Sequence, residues 1–222
     1  MKITMYPFKP FEVNNGQVTI IQTASSKVYV NLVKLFKNED DRIGLITQND
    51  EEVSLAANTE WYGDPLMNDL DALFKSKVQR KLTTWIDNNS REDLIQLTNQ
   101  MNDVMTDVLF GMDLPITVSK EWDLLKCLKF LGIQFTELAR NNPYDIIEAI
   151  LKISHDLKDS QVICLTNVFH YLDMERFSEL ANLGKTFGSK IFLIDFSETN
   201  QRDKFKDYCY YFIDDDLVEW HD

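Results

Sequence analysis

Two short apolar runs constrain this chain more than any other feature. They are Val162-Ile163-Cys164-Leu165-Thr166 and Ile191-Phe192-Leu193-Ile194, and neither shows the polar–apolar alternation of a half-exposed strand. Runs of this kind predict strands buried on both faces, as in a parallel sheet covered by helices. Between them, residues 172–183 carry apolar side chains at helical spacing. Strand, helix and strand in that order predict a parallel crossover unit, right-handed by the usual rule. Asp173 is the expected N-cap of the helix and Gly184 its expected stop. The core is therefore read as α/β.

Upstream, residues 2–6 and 11–13 read as short strands around Pro7 and Pro10. Residues 17–22 read as a stronger strand, 25–37 as an amphipathic helix, and 43–47 and 53–57 as further strands. The character changes at residues 66–112, a long helical pattern broken only at Asp87-Asn88-Asn89-Ser90. Its second arm repeats Leu94, Leu97, Met101, Val104 and Val108 at the spacing of a coiled-coil seam. Ser90 followed by Asp93 is the expected start of that arm. Two helices of about 22 residues would each reach about 33 Å. The pattern thus predicts an antiparallel helical hairpin projecting from the α/β body. A third helix is expected over residues 119–130, ending at Gly132, and another begins at Asn142-Pro143. The expected domains are a discontinuous α/β domain, residues 1–65 and 132–222, and a helical domain, residues 66–131.

Charge narrows the function. The chain of 222 residues carries a formal charge of −13, which offers no bulk attraction for nucleic acid. Residues 132–222 hold 17 acidic groups against 9 basic ones, so the acidity gathers toward the C-terminal end. Cys127, Cys164 and Cys209 are odd in number and form no CxxC pair, the usage of reduced thiols in a cytoplasmic protein. The N-terminal residues do not form a signal peptide, and no run reaches the length of a membrane span.

Catalytic motifs are scarce. A phosphate-binding loop should follow the strand at residues 17–22, but no glycine occurs between Gly16 and Gly44, and Ser25 reads as a plain helix cap. Gly184-Lys185-Thr186 matches the end of that motif, but Glu179 stands where its first glycine belongs, so it reads as a helix-terminating loop. Asp195 ends a strand as a magnesium-holding carboxylate would, without the loop that such a residue serves. His155, His170 and His221 make no zinc spacing, no GxSxG elbow is present, and Cys164 sits inside a buried strand. One basic cluster stands out. No acid lies between Asp71 and Asp87, whereas Lys75, Lys77, Arg80 and Lys81 do. A solvated helix face explains it, and so does an anion-binding surface.

The order of elements resembles a known family. The residues that carry the likeness are Thr19-Ile20-Ile21, the helical hairpin, the run from Leu125 to Ile133 through Leu131-Gly132, the strand ending in Asn167, and Ile191 to Asp195. They are similar to the accessory spacer-acquisition proteins of type II-A CRISPR systems, the Csn-two family. The resemblance implies a degenerate P-loop-NTPase-like head with a parallel sheet and a long α-helical leg. It implies a non-enzymatic, homotetrameric ring that binds double-stranded DNA, without reading sequence, and depends on calcium. The implied role is spacer acquisition in antiviral defence, beside a CRISPR spacer integrase and an RNA-guided effector nuclease. Under that reading Lys75, Lys77, Arg80 and Lys81 are the expected DNA track, with Lys120, Lys126 and Lys129 as additions. Asp113, Glu121 and Asp123 are the candidate calcium ligands, equally readable as helix-start acids favoured by the dipole. Lys126 stands where an acid is common in the family, so residue 126 is no ligand. Two other readings stay open: an NTPase or nucleotide kinase with an atypical phosphate loop, and an acidic protein–protein scaffold.

Overall fold

The computed structural model describes residues 1–37, 43–47, 51–112, 114–119 and 121–221. The chain divides into two compact units, Met1–Leu70 with Thr136–Asp222, and Asp71–Phe135.

The first unit is a mixed α/β structure. Its early elements are β1 (Lys2–Met5), β2 (Phe11–Glu12), β3 (Val18–Thr23), α1 (Ser26–Phe36), β4 (Ile43–Ile46), β5 (Glu52–Val53), α2 (Leu55–Asn58) and β6 (Thr59–Gly63). The strand expected at residues 53–57 stops at Val53, because the Ser54 hydroxyl accepts the Ala57 amide hydrogen and starts α2. With α3 (Leu70–Trp85), α4 (Asn88–Phe110) and α5 (Leu124–Phe130) between, the unit resumes at α6 (Leu138–Asn141) and α7 (Pro143–Asp156). There follow β7 (Val162–Thr166), α8 (Val168–Tyr171), α9 (Met174–Phe187), β8 (Lys190–Phe196), β9 (Cys209–Ile213) and β10 (Glu219–His221).

The main sheet has the order β10-β9-β3-β8-β7-β6, and only β10 runs antiparallel to its neighbour. The two apolar runs, 162–166 and 191–194, form β7 and β8, adjacent and parallel. Both faces are covered, so alternate residues of β8 serve different cores. Phe192 and Ile194 join Val28, Leu32 and Phe36 of α1, together with Ile3, Phe11 and Leu45 of a small antiparallel sheet ordered β2-β1-β4-β5. Ile191 and Leu193 face Ile147 and Leu151 of α7 and Leu180 of α9. Each such side chain contributes about 1.5–3 kcal/mol on leaving water, which is why no polar residue interrupts the run.

Gly184 does not end its helix. α9 continues to Phe187 and closes at Gly188, whose φ of +67° is the left-handed turn that favours glycine. Gly184 is buried inside α9, where an added Cβ would lie 2.6 Å from Ile191 Cδ1. It is a close-approach residue between helix and sheet. The Gly184-Lys185-Thr186 triplet is thus helical, not a loop.

The second unit holds most of α3, then α4 and α5. α4 begins at Asn88 rather than Ser90, because Asp87 caps it: Asp87 Oδ1 accepts the Ser90 amide at 3.0 Å and Oδ2 accepts the Ser90 hydroxyl at 2.6 Å. Arg91 Nη2 donates back to Thr83 O at 3.0 Å across the turn. α5 is shorter than the pattern predicts. Asp123 caps it, its Oδ1 accepting the Lys126 amide at 3.0 Å, so residues 121–123 lie ahead of the helix. Among the described residues, no helix is long and apolar enough to cross a membrane.

Candidate nucleic-acid interface

At about 100° per residue, Lys77, Arg80 and Lys81 fall within an arc of about 100° on α3. Lys75 lies more than about 100° from that arc, on the side of the buried Gln79, and like Lys81 it is half-buried. The structure therefore groups three of the four α3 cations on one face. Local partners hold them. Lys77 Nζ sits 5.9 Å from the Phe74 ring centroid, Lys81 Nζ sits 5.8 Å from that of the exposed Trp85, and Arg80 Nη2 donates to Ser76 Oγ at 3.2 Å. On α5, Lys126 and Lys129 are exposed and three residues apart, opposite the buried Leu124 and Leu128. Lys120 lies outside the described residues.

The calcium candidates fare differently. Asp113 lies outside the described residues. Asp123 already spends one carboxylate oxygen on its cap, and Glu121 is exposed, its backbone amide donating to Ser119 Oγ. Calcium takes six to eight oxygens. Among the described residues no group of three or more metal-ligating side chains exists, so one chain's described residues do not make a calcium cage.

Beside these residues runs an apolar groove of about 540 Å³, with Leu94, Leu97, Met101 and Val104 of α4 on one wall and Trp122 and Phe130 on the other. No α4 residue is buried, and Val104 is 64 % exposed. Among the described residues of its own unit, the seam therefore faces an open groove and is not fully covered.

A nucleotide site in an open parallel sheet lies at the carboxyl ends of the strands. Here that edge is closed by side chains. Only Ala24 and Ser25 separate β3 from α1, and both amides are already donating, Ala24 N to Ile213 O at 3.0 Å and Ser25 N to Thr23 Oγ1 at 3.1 Å. Ser25 occupies the N-cap position without a side-chain cap bond. Tyr29 Oη donates to Asn167 Oδ1 at 2.9 Å, and Asn167 Nδ2 donates to Asp64 Oδ2 at 2.9 Å. Tyr171 Oη donates to the same carboxylate, 2.9 Å from Oδ2. That hydrogen bond, followed by burial, holds the Tyr171 hydroxyl protonated beyond its ordinary range, and burial does the same for Tyr29. Asp195, 2 % exposed, accepts the Phe196 amide at 3.0 Å and lies 3.2 Å from His170 Nδ1. Burial raises its carboxyl above the usual range, against the opposing pull of His170.

Two backbone features build this edge. Asn167 adopts φ +60°, which asparagine tolerates better than most residues. Gly63, at φ +64°, follows an irregularity in the β6–β7 register and delivers Asp64 to Asn167. The sequence reading omitted β6 and with it Asp64. The signal was present in Trp61-Tyr62 followed by the turn-forming Gly63-Asp64-Pro65.

No curated relative matches the chain. Among solved structures, Stu0660 of Streptococcus thermophilus superposes with a TM-score of 0.60 at 12 % identity, over 100 % of this chain and 76 % of that one. This likeness concerns the fold. A chain described as a cobalt transport ATP-binding protein (cbiO-2), ST1066, gives 0.35 at 13 % identity over 96 % and 73 % of the two chains, too low to carry a fold assignment. The model of one family, CRISPR-associated protein (Cas_Csn2), matches residues 36–217, from the end of α1 to the β9–β10 turn. The match takes in all of the second unit and most of the first, and the chain belongs to the Cas_Csn2 family of CRISPR-associated proteins.

Proposed function

We propose that this chain binds double-stranded DNA without reading its sequence, as a non-enzymatic accessory protein of spacer acquisition. The observation that carries the reading is the α3 face of Lys77, Arg80 and Lys81, with no acid between Asp71 and Asp87, in a chain of net charge −13. Phosphate contacts need cations along one track and supply affinity without specificity. The filled carboxyl edge of the sheet supports the non-enzymatic part, because the turn amides that would cradle a phosphate are committed to Ile213 and Thr23. In this reading the α/β unit is a degenerate P-loop-NTPase-like head, and residues 71–135 are the leg. Copies assemble into a homotetrameric ring that receives DNA ends in the cytoplasm. The exposed apolar seam of α4 supports assembly, since a continuous apolar stripe calls for a covering surface. Calcium enters as an ion completed by oxygens from more than one copy, with Glu121 and Asp123 as the residues to vary. The spacer integrase and the effector nuclease are the proposed protein partners.

The test is the salt dependence of duplex binding. Each cation that neutralises a phosphate adds about 0.9 to the slope of log affinity against log salt. Lys75, Lys77, Arg80 and Lys81 changed together to Ala should lower affinity and slope, by up to about 2.7 per engaged chain if only the three clustered cations contribute. Lys75→Ala alone should leave the slope near wild type. An unchanged slope in the quadruple variant, with assembly intact by light scattering, refutes the assigned track.

A further inference from the structure

The segment between β8 and the end of β10 carries a small cleft that the proposed function does not use. Its volume is about 90 Å³, and it is lined by Asn200, Arg202, Phe205, Lys206, Tyr208, Tyr210 and Trp220. Sites that enclose a whole ligand run to about 300–1,000 Å³, so this one would receive a single ring.

The rings are fixed in place. Trp220, 56 % exposed, is held by its indole N–H, which donates to Asp214 Oδ2 at 3.0 Å. Phe205 is fully buried and stacks on Tyr210 at a centroid distance of 5.3 Å and 26°. The Tyr210 hydroxyl donates to Gln22 Oε1 at 3.0 Å, and the Tyr208 hydroxyl lies 3.2 Å from Ser178 Oγ. Both tyrosines thus spend their polar ends on the protein and leave ring surface for the cleft. Arg202 and Lys206, both exposed, supply positive charge at its wall. The acids of the same segment, Glu198, Asp203, Asp207, Asp214, Asp215, Asp216 and Glu219, are not among the lining residues, although Asp214 holds Trp220 from outside the cleft. Their proximity in sequence disfavours a long polyanion and restricts the cleft to a short one.

We propose that this cleft is a nucleotide site, in which one unpaired base stacks on the Trp220 face and its phosphate meets Arg202 and Lys206. A free nucleotide and the frayed or tailed end of a strand present the same chemistry. Only the second source rests on the DNA-binding reading.

The experiment uses the full chain in two arms. In the first, deoxynucleoside monophosphates are titrated by calorimetry. In the second, blunt duplexes and duplexes carrying one unpaired terminal nucleotide are compared by fluorescence anisotropy. Saturable monophosphate binding, or tighter binding of tailed than of blunt duplex, is expected, with a roughly ten- to hundred-fold loss in Trp220→Ala. Trp220→Phe should retain part of it. Arg202→Ala with Lys206→Ala should also weaken it, and both lie on the surface, so their folding is not at issue. Monophosphate binding without tail preference assigns the site to free nucleotides; tail preference without monophosphate binding assigns it to strand ends. Neither effect in wild type, or either effect unchanged in all these variants, overturns the proposal. Failure of blunt duplex to bind would instead refute the DNA-binding reading, leaving the monophosphate arm to decide the cleft.

Discussion

Gly184 offers a test of whether its triplet owes its glycine to packing or to phosphate chemistry. An alanine Cβ there would approach Ile191 Cδ1 to 2.6 Å, well inside ordinary contact, while Ile191 Cγ1 stays at 3.7 Å. Overpacking of this kind costs about 1–3 kcal/mol. Replacing glycine inside a helix returns about 1 kcal/mol of propensity. Gly184→Ala should therefore be destabilising by about 0–2 kcal/mol. Ile191→Val removes the clashing carbon alone and by itself costs about 0.5–1.5 kcal/mol. In the double variant the clash is gone and the propensity gain remains, so it should be at least as stable as Ile191→Val. The resulting coupling energy should be about 1–3 kcal/mol in favour of the pair. Urea midpoints with a shared m-value for wild type, both single variants and the double variant measure it. A coupling within about 0.5 kcal/mol of zero would refute close approach as the reason for this glycine.

Three further outcomes follow from the same geometry. Burial raises the Asp195 carboxyl above its ordinary 3.8, so the associated stability is present below that pH and lost as pH climbs through the raised value. Asp195→Asn keeps an acceptor for His170 and cannot ionise; its stability relative to wild type should improve from about pH 4 to about pH 7, and a pH-independent difference in denaturant midpoint would contradict this. Gln79 is 4 % exposed with Nε2 lacking an acceptor among the described residues, so Gln79→Met should stabilise by about 1 kcal/mol, and a lower melting temperature would show that the amide is satisfied. Asn167→Gly should exceed Asn167→Ala in stability by about 1 kcal/mol because only the backbone conformation separates them, and both should fall below wild type by the loss of the Tyr29 and Asp64 bonds; equal midpoints for the two variants would refute the left-handed account.

What was legible in the sequence follows from how far apart the cooperating residues lie. β7 and β8 could be read because burial on both faces leaves an apolar run within five to seven consecutive residues. The α3 face could be read for the same reason: three cations within five positions of one helix share a side wherever that helix sits. Boundaries failed where one side chain decided them. Asp87 and Asp123 each capture a backbone amide and move a helix start by several residues, Ser54 does the same to turn an expected strand into α2, and hydrophobic spacing carries no trace of that. The edge network failed for a different reason. Tyr29, Asp64, Asn167 and Tyr171 come from α1, the end of β6, the end of β7 and α8, and they meet only because β6 pairs with β7 in a register shifted near Gly63. Until that register is known, Asn167 is merely a polar residue where a carboxylate was sought. Once it is known, the same residue becomes the link between a phenol and a carboxylate. The α3 face is independent of that register, so loss of the Asn167 network and loss of the α3 cations are expected to separate cleanly, the first in stability and the second in the salt slope of DNA binding.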